Sequence, residues 1–381
     1  MSAHNDELKM LAESVQRFIE QHISPVYETW ETNHLIPKAF WRTLGEAGLL
    51  GMDMPEEYGG SAADIHFPLQ IIEQFGLAGF GGLNSAYNIH ANIVMPYILH
   101  IGNPAQKQQW LPRLISGEAI GAIAMTEPSA GSDLAAMRTS AVRNEKGWLL
   151  NGSKTFITNG INADVVIVCA KTNNHAGAKG ISLFLVDTQL KGFSRGQSIE
   201  KIGQHCSDTA ELFFDNLQLS NDALLGECDK GFMYLMQELP RERLGVAAQA
   251  LGAMQGALNI TVDYVQQRKA FGQSIAQFQN TRFVLAQIKA DIEMARSYLQ
   301  QCITHYQAQT MDTTEAAVLK LQLTEMQCRI SDQCLQLFGG YGYTREYPIS
   351  RFYADARVQT IYAGSSEIMK EIIARSMLGK A

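Results

Sequence analysis

No run of apolar residues in this 381-residue chain approaches the roughly 18 that a membrane-spanning helix needs. There is no basic excess either: 31 Lys and Arg stand against 38 Asp and Glu, net charge −7, which argues against a nucleic-acid binder but leaves room for a local phosphate pocket. The six cysteines (Cys169, Cys206, Cys228, Cys302, Cys328 and Cys334) form no CxxC pair, so reduced, mostly buried thiols in a reducing compartment are expected. HExxH, a Walker loop and a GxGxxG following a strand are all missing, so no metal site, P-loop or Rossmann unit is expected. The N-terminus carries Asp6, Glu7 and Glu13, where a secretory signal would be basic then apolar and a transit peptide would avoid acids. A cytoplasmic protein is expected. There is no internal repeat and no low-complexity tract.

What is present is a globular composition, 46% apolar, with fifteen methionines that suit adaptable packing. Residues 1–120 read as helical. Leu8, Leu11, Val15 and Phe18 recur at helical spacing until Ser24-Pro25, and further helices follow around Phe40-Trp41, Phe67 to Phe75 and Ala86 to Ile101. Residues 121–228 change texture. Short apolar runs at Val165 to Ala170, Ile181 to Val186 and Glu211 to Phe214 read as strands, and Asn151-Gly152 reads as a hairpin turn. Residues 229–381 return to helix. Leu244, Leu251, Leu258 and Val265 fall in heptad register, and Phe283, Ile288, Ile292, Ala295 and Leu299 mark a second face. Thr314 to Phe338 forms a third helix closed by Gly339-Gly340, and Ser366 to Met377 a last one. The expected fold class is α+β: a helical domain, a barrel-like β domain and a four-helix bundle that packs against other subunits.

One segment points to a ligand. The apolar run Ala122-Ile123-Ala124-Met125 leads into Thr126-Glu127-Pro128-Ser129-Ala130-Gly131-Ser132-Asp133, a strand entering a loop rich in hydroxyls and backbone donors. Further blocks follow: Lys154-Thr155-Phe156-Ile157-Thr158-Asn159-Gly160; Arg268-Lys269-Ala270-Phe271-Gly272 with Phe278-Gln279; Gln336-Leu337-Phe338-Gly339-Gly340-Tyr341-Gly342-Tyr343; and Tyr362-Ala363-Gly364-Ser365-Ser366-Glu367-Ile368. In content, order and spacing the chain resembles the acyl-CoA dehydrogenase family over essentially its whole length. Glu238-Leu239-Pro240-Arg241-Glu242-Arg243-Leu244 is most similar to the long-chain branch.

That resemblance implies FAD as cofactor, oxidation of the Cα–Cβ bond of an acyl-CoA to a trans-2-enoyl-CoA, a homotetramer, and an electron-transfer flavoprotein as acceptor. It assigns Ile123, Met125, Thr126, Gly131, Ser132, Phe156, Ile157 and Thr158 to the flavin ring. Arg268, Phe271, Phe278, Gln279, Gln336, Leu337, Gly339 and Gly340, with Ser365, Ser366 and Glu367, fall to the rest of the cofactor, partly across a subunit boundary. Arginine suits phosphate through paired N–H donors, and the N-terminus of the last helix favours an anion. Ser365 and Ser366 are equally good helix caps. Ser132, Met233, Pro240, Arg241, Arg243, Ala363 and Gly364 are assigned to substrate.

The reaction needs a carboxylate base, and a free glutamate near pKa 4.3 is too weak without burial. Many members carry the base between the tyrosine and glycine of the tail motif, where this chain has Ala363. The long-chain and isovaleryl branches carry it near the start of the first bundle helix, where this chain has Glu242. Taken alone, Glu242 reads as a first-turn acid behind Pro240. Taken with Ala363, it is the expected base, with the Ala363 N–H donating to the thioester oxygen. Other readings are an acyl-carrier-protein substrate, a flavin oxidase, or a non-enzymatic flavin- or acyl-CoA-binding scaffold.

Overall fold

The computed structural model describes residues 2–379. Helices α1 (Ser2–Phe18), α2 (Tyr27–Asn33), α3 (Lys38–Glu46), α4 (His66–Leu77), α5 (Gly81–Tyr87), α6 (Met95–Ile101) and α7 (Pro104–Ile115) come first. A π-helical stretch, Asn88–Val94, joins α5 to α6 without a break. The α1 pattern buries Val15 and Phe18, and the chain leaves the helix at Ser24-Pro25. Asn103 caps α7 in a reciprocal pair with Gln106: each side chain accepts the other's backbone N–H at 2.9 Å. Gln106 then donates to the carbonyls of Asp222 and Leu224, which ties this helix to the sheet.

The middle region contains β1 (Gly121–Ala124), β2 (Ser140–Asn144), β3 (Gly147–Thr158), β4 (Val165–Lys171), β5 (Ile181–Asp187), β6 (Phe193–Ser198), β7 (Thr209–Leu219) and β8 (Leu224–Leu225). Their order is β6-β7-β3-β2-β4-β5-β8, with β1 parallel to β4. β2 meets β4 at the single pair Ser140–Lys171, and that joint connects the two halves of the sheet. β4 is buried along its whole length, as its unbroken apolar run requires.

Asn151-Gly152 is not the hairpin turn. The β2–β3 turn lies at Glu145-Lys146, and Asn151 and Gly152 sit inside β3 where its register with β7 shifts between Leu150 and Gly152. Gly152 has φ +146°, and a Cβ there would stand 2.5 Å from the Thr139 hydroxyl. The Asn151 side chain accepts the Asn216 N–H at 2.8 Å. The conformational freedom that marks a tight turn here serves a β-bulge.

The C-terminal region holds α8 (Gly231–Gln267), a short hairpin of β9 (Lys269–Ala270) and β10 (Gln273–Ser274), then α9 (Gln279–Gln307), α10 (Thr313–Phe338), α11 (Ile349–Gln359) and α12 (Ser366–Leu378). The heptad positions Leu244, Leu251, Leu258 and Val265 are all buried on α8. Phe283 departs from its expected core role: it is 65% exposed, and the first buried apolar residue of α9 is Ile288. No helix among the described residues is long and apolar enough to cross a membrane.

α8 organises the molecule, because it packs on α4 from the first region as well as on α9 and α10. The α4–α8 crossing is a backbone-to-backbone contact. A Cβ on Gly252 would stand 2.1 Å from the Glu73 carbonyl oxygen, one on Gly256 2.1 Å from that of Leu77, and one on Gly76 2.6 Å from that of Gln249. Those carbonyls belong to helix backbone and cannot swing away. Gly252→Ala is therefore expected to cost at least the ~1–3 kcal/mol typical of overpacking, read as a lowered midpoint in thermal or denaturant unfolding. An unchanged midpoint would show that the two helices can move apart freely.

Candidate active site

Glu242 lies well inside α8. The helix begins at Gly231, so Pro240 is an interior proline and Glu242 is not a first-turn acid. Because Pro240 has no N–H, the Met236 carbonyl loses its usual helical partner just ahead of Glu242. The first-turn explanation of this carboxylate therefore does not apply.

Glu242 is buried and accepts a hydrogen bond from the Tyr97 hydroxyl at 2.8 Å. Burial raises its pKa to about 7; the Tyr97 hydrogen bond and Arg243 pull it down, while Glu238 pushes it up. Tyr97 is itself held well above the ordinary phenol range, by burial and then by the charge of Glu242, so it remains a donor. Glu238, the neighbour one turn back, meets His100 Nδ1 at 2.8 Å. The result is a desolvated carboxylate that titrates close to neutrality, which a base for a carbon acid needs.

The arginines on either side do different things. Arg241 turns away from Glu242: its Nη2 pairs with Asp53 at 2.5 Å and its Nε donates to the Asn92 carbonyl at 3.0 Å. It braces α8 against the first region. Arg243 is buried with Nε and Nη1 unpartnered, and its Nη2 is 3.8 Å from where a Gly364 Cβ would stand. Lys320 of α10 donates to the Gly364 carbonyl at 2.8 Å, and its pKa is pushed down to about 8 by burial and by Arg243. Two buried cations thus converge on the tail loop. Ala363 (φ +52°) and Gly364 (φ +88°) both adopt left-handed backbone there, a conformation that alanine rarely takes unless its surroundings enforce it. Tyr362, just before them, reaches Ser85 of α5 at 3.5 Å. Ser365 caps α12 through the Ile368 N–H, the buried Ser366 hydroxyl has no partner, and Glu367 is exposed. Met233 is half-exposed in the opening turn of α8.

The flavin-type loops sit at the ends of β1 and β3. Ile123 and Ile157 are buried, Met125, Thr126 and Thr158 are partly buried, and Gly131 and Ser132 are exposed. The Thr155 N–H donates to the Thr126 carbonyl at 3.0 Å, which stitches the two segments together. Underneath is a buried ion pair, Glu127–Lys154 at 2.9 Å. Glu127 also accepts the N–H groups of Arg138 (2.7 Å) and Thr139 (2.9 Å), and Lys154 donates to the Met125 carbonyl at 2.9 Å. Phe156 stands 64% exposed on a backbone of φ +58°, an aromatic ring held out of the core.

On the other side, Arg268, Gln336, Leu337, Gly339 and Gly340 line one open cleft of about 490 Å³ together with Tyr341 and Thr344. Arg268 lies over the Tyr341 ring at 5.3 Å. Phe271 is 95% exposed and meets Phe278 edge-on at 6.2 Å, just ahead of Gln279 at the start of α9. No atom comes within 4 Å of a Cβ placed on Gly339 or Gly340. An exposed ring, loops of hydroxyls and backbone donors, and an open cleft with a guanidinium and bare glycine backbone fit a flavin dinucleotide.

The geometry defines a flavin-type oxidoreductase with a buried carboxylate base candidate. Three family models match in order: acyl-CoA dehydrogenase N-terminal domain over residues 5–118, middle domain over 122–217 and C-terminal domain over 229–378. The chain is 44% identical to the long-chain specific acyl-CoA dehydrogenase of Rattus norvegicus over 98% of its own length and 87% of that protein's. The crystal structure of an acyl-CoA dehydrogenase from Geobacillus kaustophilus superposes with a TM-score of 0.95 at 42% identity, covering 98% of each chain. A glutaryl-CoA dehydrogenase from Mycobacterium smegmatis in complex with FADH2 superposes at 0.93 with 30% identity, over 98% of this chain and 95% of that one. The chain belongs to the acyl-CoA dehydrogenase family. It is an FAD-dependent oxidoreductase acting on acyl-CoA.

Sequence reasoning missed Tyr97, Asp53 and Lys320. Tyr97 is the one hydroxyl in the apolar stretch Met95 to Ile101, the only signal that could have exposed it. His4, Asp64 and His66 bring potential metal-ligand atoms within 4.8 Å of one another. The ring nitrogens of His66 are already engaged by Asp64, Gln300 and Gln307.

Two outcomes test this construction. A carboxylate base must be ionised to act, so with Glu242 in that role kcat/KM should rise with pH through about 7. Tyr97→Phe removes a hydrogen bond to the charged form, worth about 1.5–3 kcal/mol, and should move that limb up by about one pH unit or more. A limb that stays in place would remove Tyr97 from the site. Lys154→Met leaves Glu127 buried without its partner, a loss of about 3–5 kcal/mol. It should lower both the unfolding midpoint and the flavin content of the purified protein.

Proposed function

We propose that the protein dehydrogenates an acyl-CoA at Cα–Cβ to the trans-2-enoyl-CoA, with Glu242 as the α-proton base. The observation that carries this is a buried carboxylate with a pKa near 7 on α8, in a chain whose tail loop has Ala363 in place of a carboxylate. Glu242 takes the α-proton as the α C–H electron pair becomes the new Cα=Cβ bond. When bound, the flavin supplies the acceptor for the β-hydrogen and its electron pair. Charge that develops on the thioester oxygen is met by the Ala363 N–H, whose orientation Lys320 holds through the adjoining Gly364 carbonyl. Burial keeps water away from the carboxylate, so its basicity is not lost to hydration.

The flavin residues proposed are Ile123, Met125, Thr126, Gly131, Ser132, Phe156, Ile157 and Thr158 at the ring. Arg268, Phe271, Phe278, Gln279, Gln336, Leu337, Gly339, Gly340, Ser365, Ser366 and Glu367 are proposed for the remainder. Ser132, Met233, Pro240, Arg243 and Gly364 would border the substrate, and Arg241 acts by bracing α8. Exposed Phe271, Phe283 and Met294 on and before α9 support a homotetramer in which the Arg268 cleft is closed by another subunit. The reading places the protein in the cytoplasm, with an electron-transfer flavoprotein as the acceptor.

Anaerobic mixing of the flavin-loaded protein with a panel of acyl-CoAs tests the proposal. The oxidised flavin band should bleach with at least one acyl-CoA and fail to bleach in Glu242→Gln. Bleaching that survives in the variant would place the base elsewhere, and a flavin that never bleaches would remove the enzymatic reading. Burial also sets a stability sign. The folded pKa of Glu242 lies above its unfolded value, so its contribution to stability falls as pH rises toward about 7. Glu242→Gln should accordingly be more stabilising at pH 8 than at pH 5 in thermal unfolding.

A further inference from the structure

Among the described residues, one group of histidine and carboxylate side chains outside the active site brings ligand atoms together: His4, Asp64 and His66, within 4.8 Å of one another. His4 lies in the first turn of α1, His66 is the first residue of α4, and Asp64 lies in the loop before it, so no sequence motif announces the group. Asp64 stands between the two rings. Its Oδ1 is 2.9 Å from His66 Nδ1, and its Oδ2 is 3.7 Å from His4 Nδ1. The His66 backbone N–H donates to Oδ1 at 2.8 Å and holds the carboxylate in place. α9 closes the group from another side. Gln300 and Gln307, two turns apart on one face, put their amide nitrogens 3.1 Å from His66 Nε2 and 3.2 Å from His66 Nδ1. The side chains of His4, Asp64 and His66 are 35%, 39% and 14% exposed, so an ion can enter from solvent.

As they stand, no placement of a proton serves both contacts at His66 Nδ1. A ring nitrogen carries either a hydrogen or a lone pair. A hydrogen there serves the Asp64 oxygen but opposes the Gln307 amide donor; a lone pair serves Gln307 but opposes Asp64. A cation on the lone pair draws in the Asp64 oxygen and, with the Gln307 amide turned end for end, its carbonyl oxygen as well. Nε2 then carries the hydrogen, and Gln300 turned the same way accepts it, which is the outer hydrogen bond that metal-binding histidines make. The spacing suits zinc. Bonds of about 2.0–2.2 Å place tetrahedral ligand atoms about 3.3–3.6 Å apart, and the two distances to Asp64, 2.9 and 3.7 Å, lie on either side of that range. Two imidazoles and one carboxylate favour Zn2+ over Ca2+ or Mg2+, which take oxygen ligands. We propose that His4, Asp64 and His66 bind Zn2+, with Gln307 or a water in the fourth position, as a clasp that ties α1 to α4 and α9. The clasp uses none of the flavin or substrate residues.

The test uses flavin-loaded protein without a histidine tag, stripped with EDTA, desalted, and titrated with ZnCl2 by calorimetry and with CoCl2 by visible absorption. The expected result is one Zn2+ per chain, an unfolding midpoint that rises with Zn2+, and visible d–d bands from Co2+ in a four-coordinate nitrogen and oxygen site. His4→Gln and His66→Gln should each weaken binding by more than the ~10–100-fold typical of losing an outer-shell partner. Flavin content and kcat/KM should stay at wild-type values in both. A wild type with no saturable Zn2+ binding overturns the proposal, since a proton with Gln307 turned over then closes the contacts. Binding that survives in both variants also overturns it, and places adventitious zinc elsewhere, for instance on the exposed Cys228. His4→Gln changes only a part-exposed side chain in the first turn of α1, so it decides the matter even if His66→Gln fails to fold.

Discussion

A carboxylate taken out of water and given a phenol hydroxyl in exchange governs the rest of this structure. Glu242 is ionised at the cost of desolvation, and the 2.8 Å bond from Tyr97 returns only part of what hydration would supply. The balance leaves it near neutrality, where a base is both available and strong. Every feature around it serves to hold that balance. Arg241 spends its charge on Asp53, so it does not stabilise the carboxylate further. Arg243 is close enough to lower the pKa, and Glu238 close enough to raise it.

Holding such a group requires a stiff frame, and the frame is α8. Its glycines let α4 approach to backbone contact, and its apolar heptads are gripped by the rest of the bundle. The same helix therefore carries Glu242 and the packing seam between the first and last regions. The tail loop is held just as firmly from the opposite side. Lys320 reaches from α10 to the Gly364 carbonyl, and the left-handed turn at Ala363 persists because that bond and the cap of α12 flank it. An alanine can occupy this position because the proposed role needs only its backbone.

Much of this was legible in the sequence. The helix–sheet–helix order followed from periodicity, and Glu242 stood out because a motif with Ala363 needed its carboxylate elsewhere. Arg268 and Gln336 to Gly340, far apart in the chain, line one cleft. The failures have physical causes. Asn-Gly permits unusual backbone wherever it is needed, and here a bulge needed it. Pro240 looked like a helix start because proline fits a first turn, yet the helix runs through it. Tyr97, Asp53 and Lys320 were invisible because each acts on a partner far away in the chain. Only folding brings Tyr97 to Glu242 or Lys320 to Gly364.

The most direct test of the central claim separates proton removal from oxidation. A 3-thia-acyl-CoA has sulfur at the β-position and cannot be dehydrogenated, but its α-hydrogens remain acidic. Incubated with the flavin-loaded protein in D2O and followed by mass spectrometry, it should gain deuterium at Cα. The rate should rise with pH through about 7 and collapse in Glu242→Gln. Equal exchange by wild type and variant would contradict the account, because the α-proton would then leave by a route that does not involve this carboxylate.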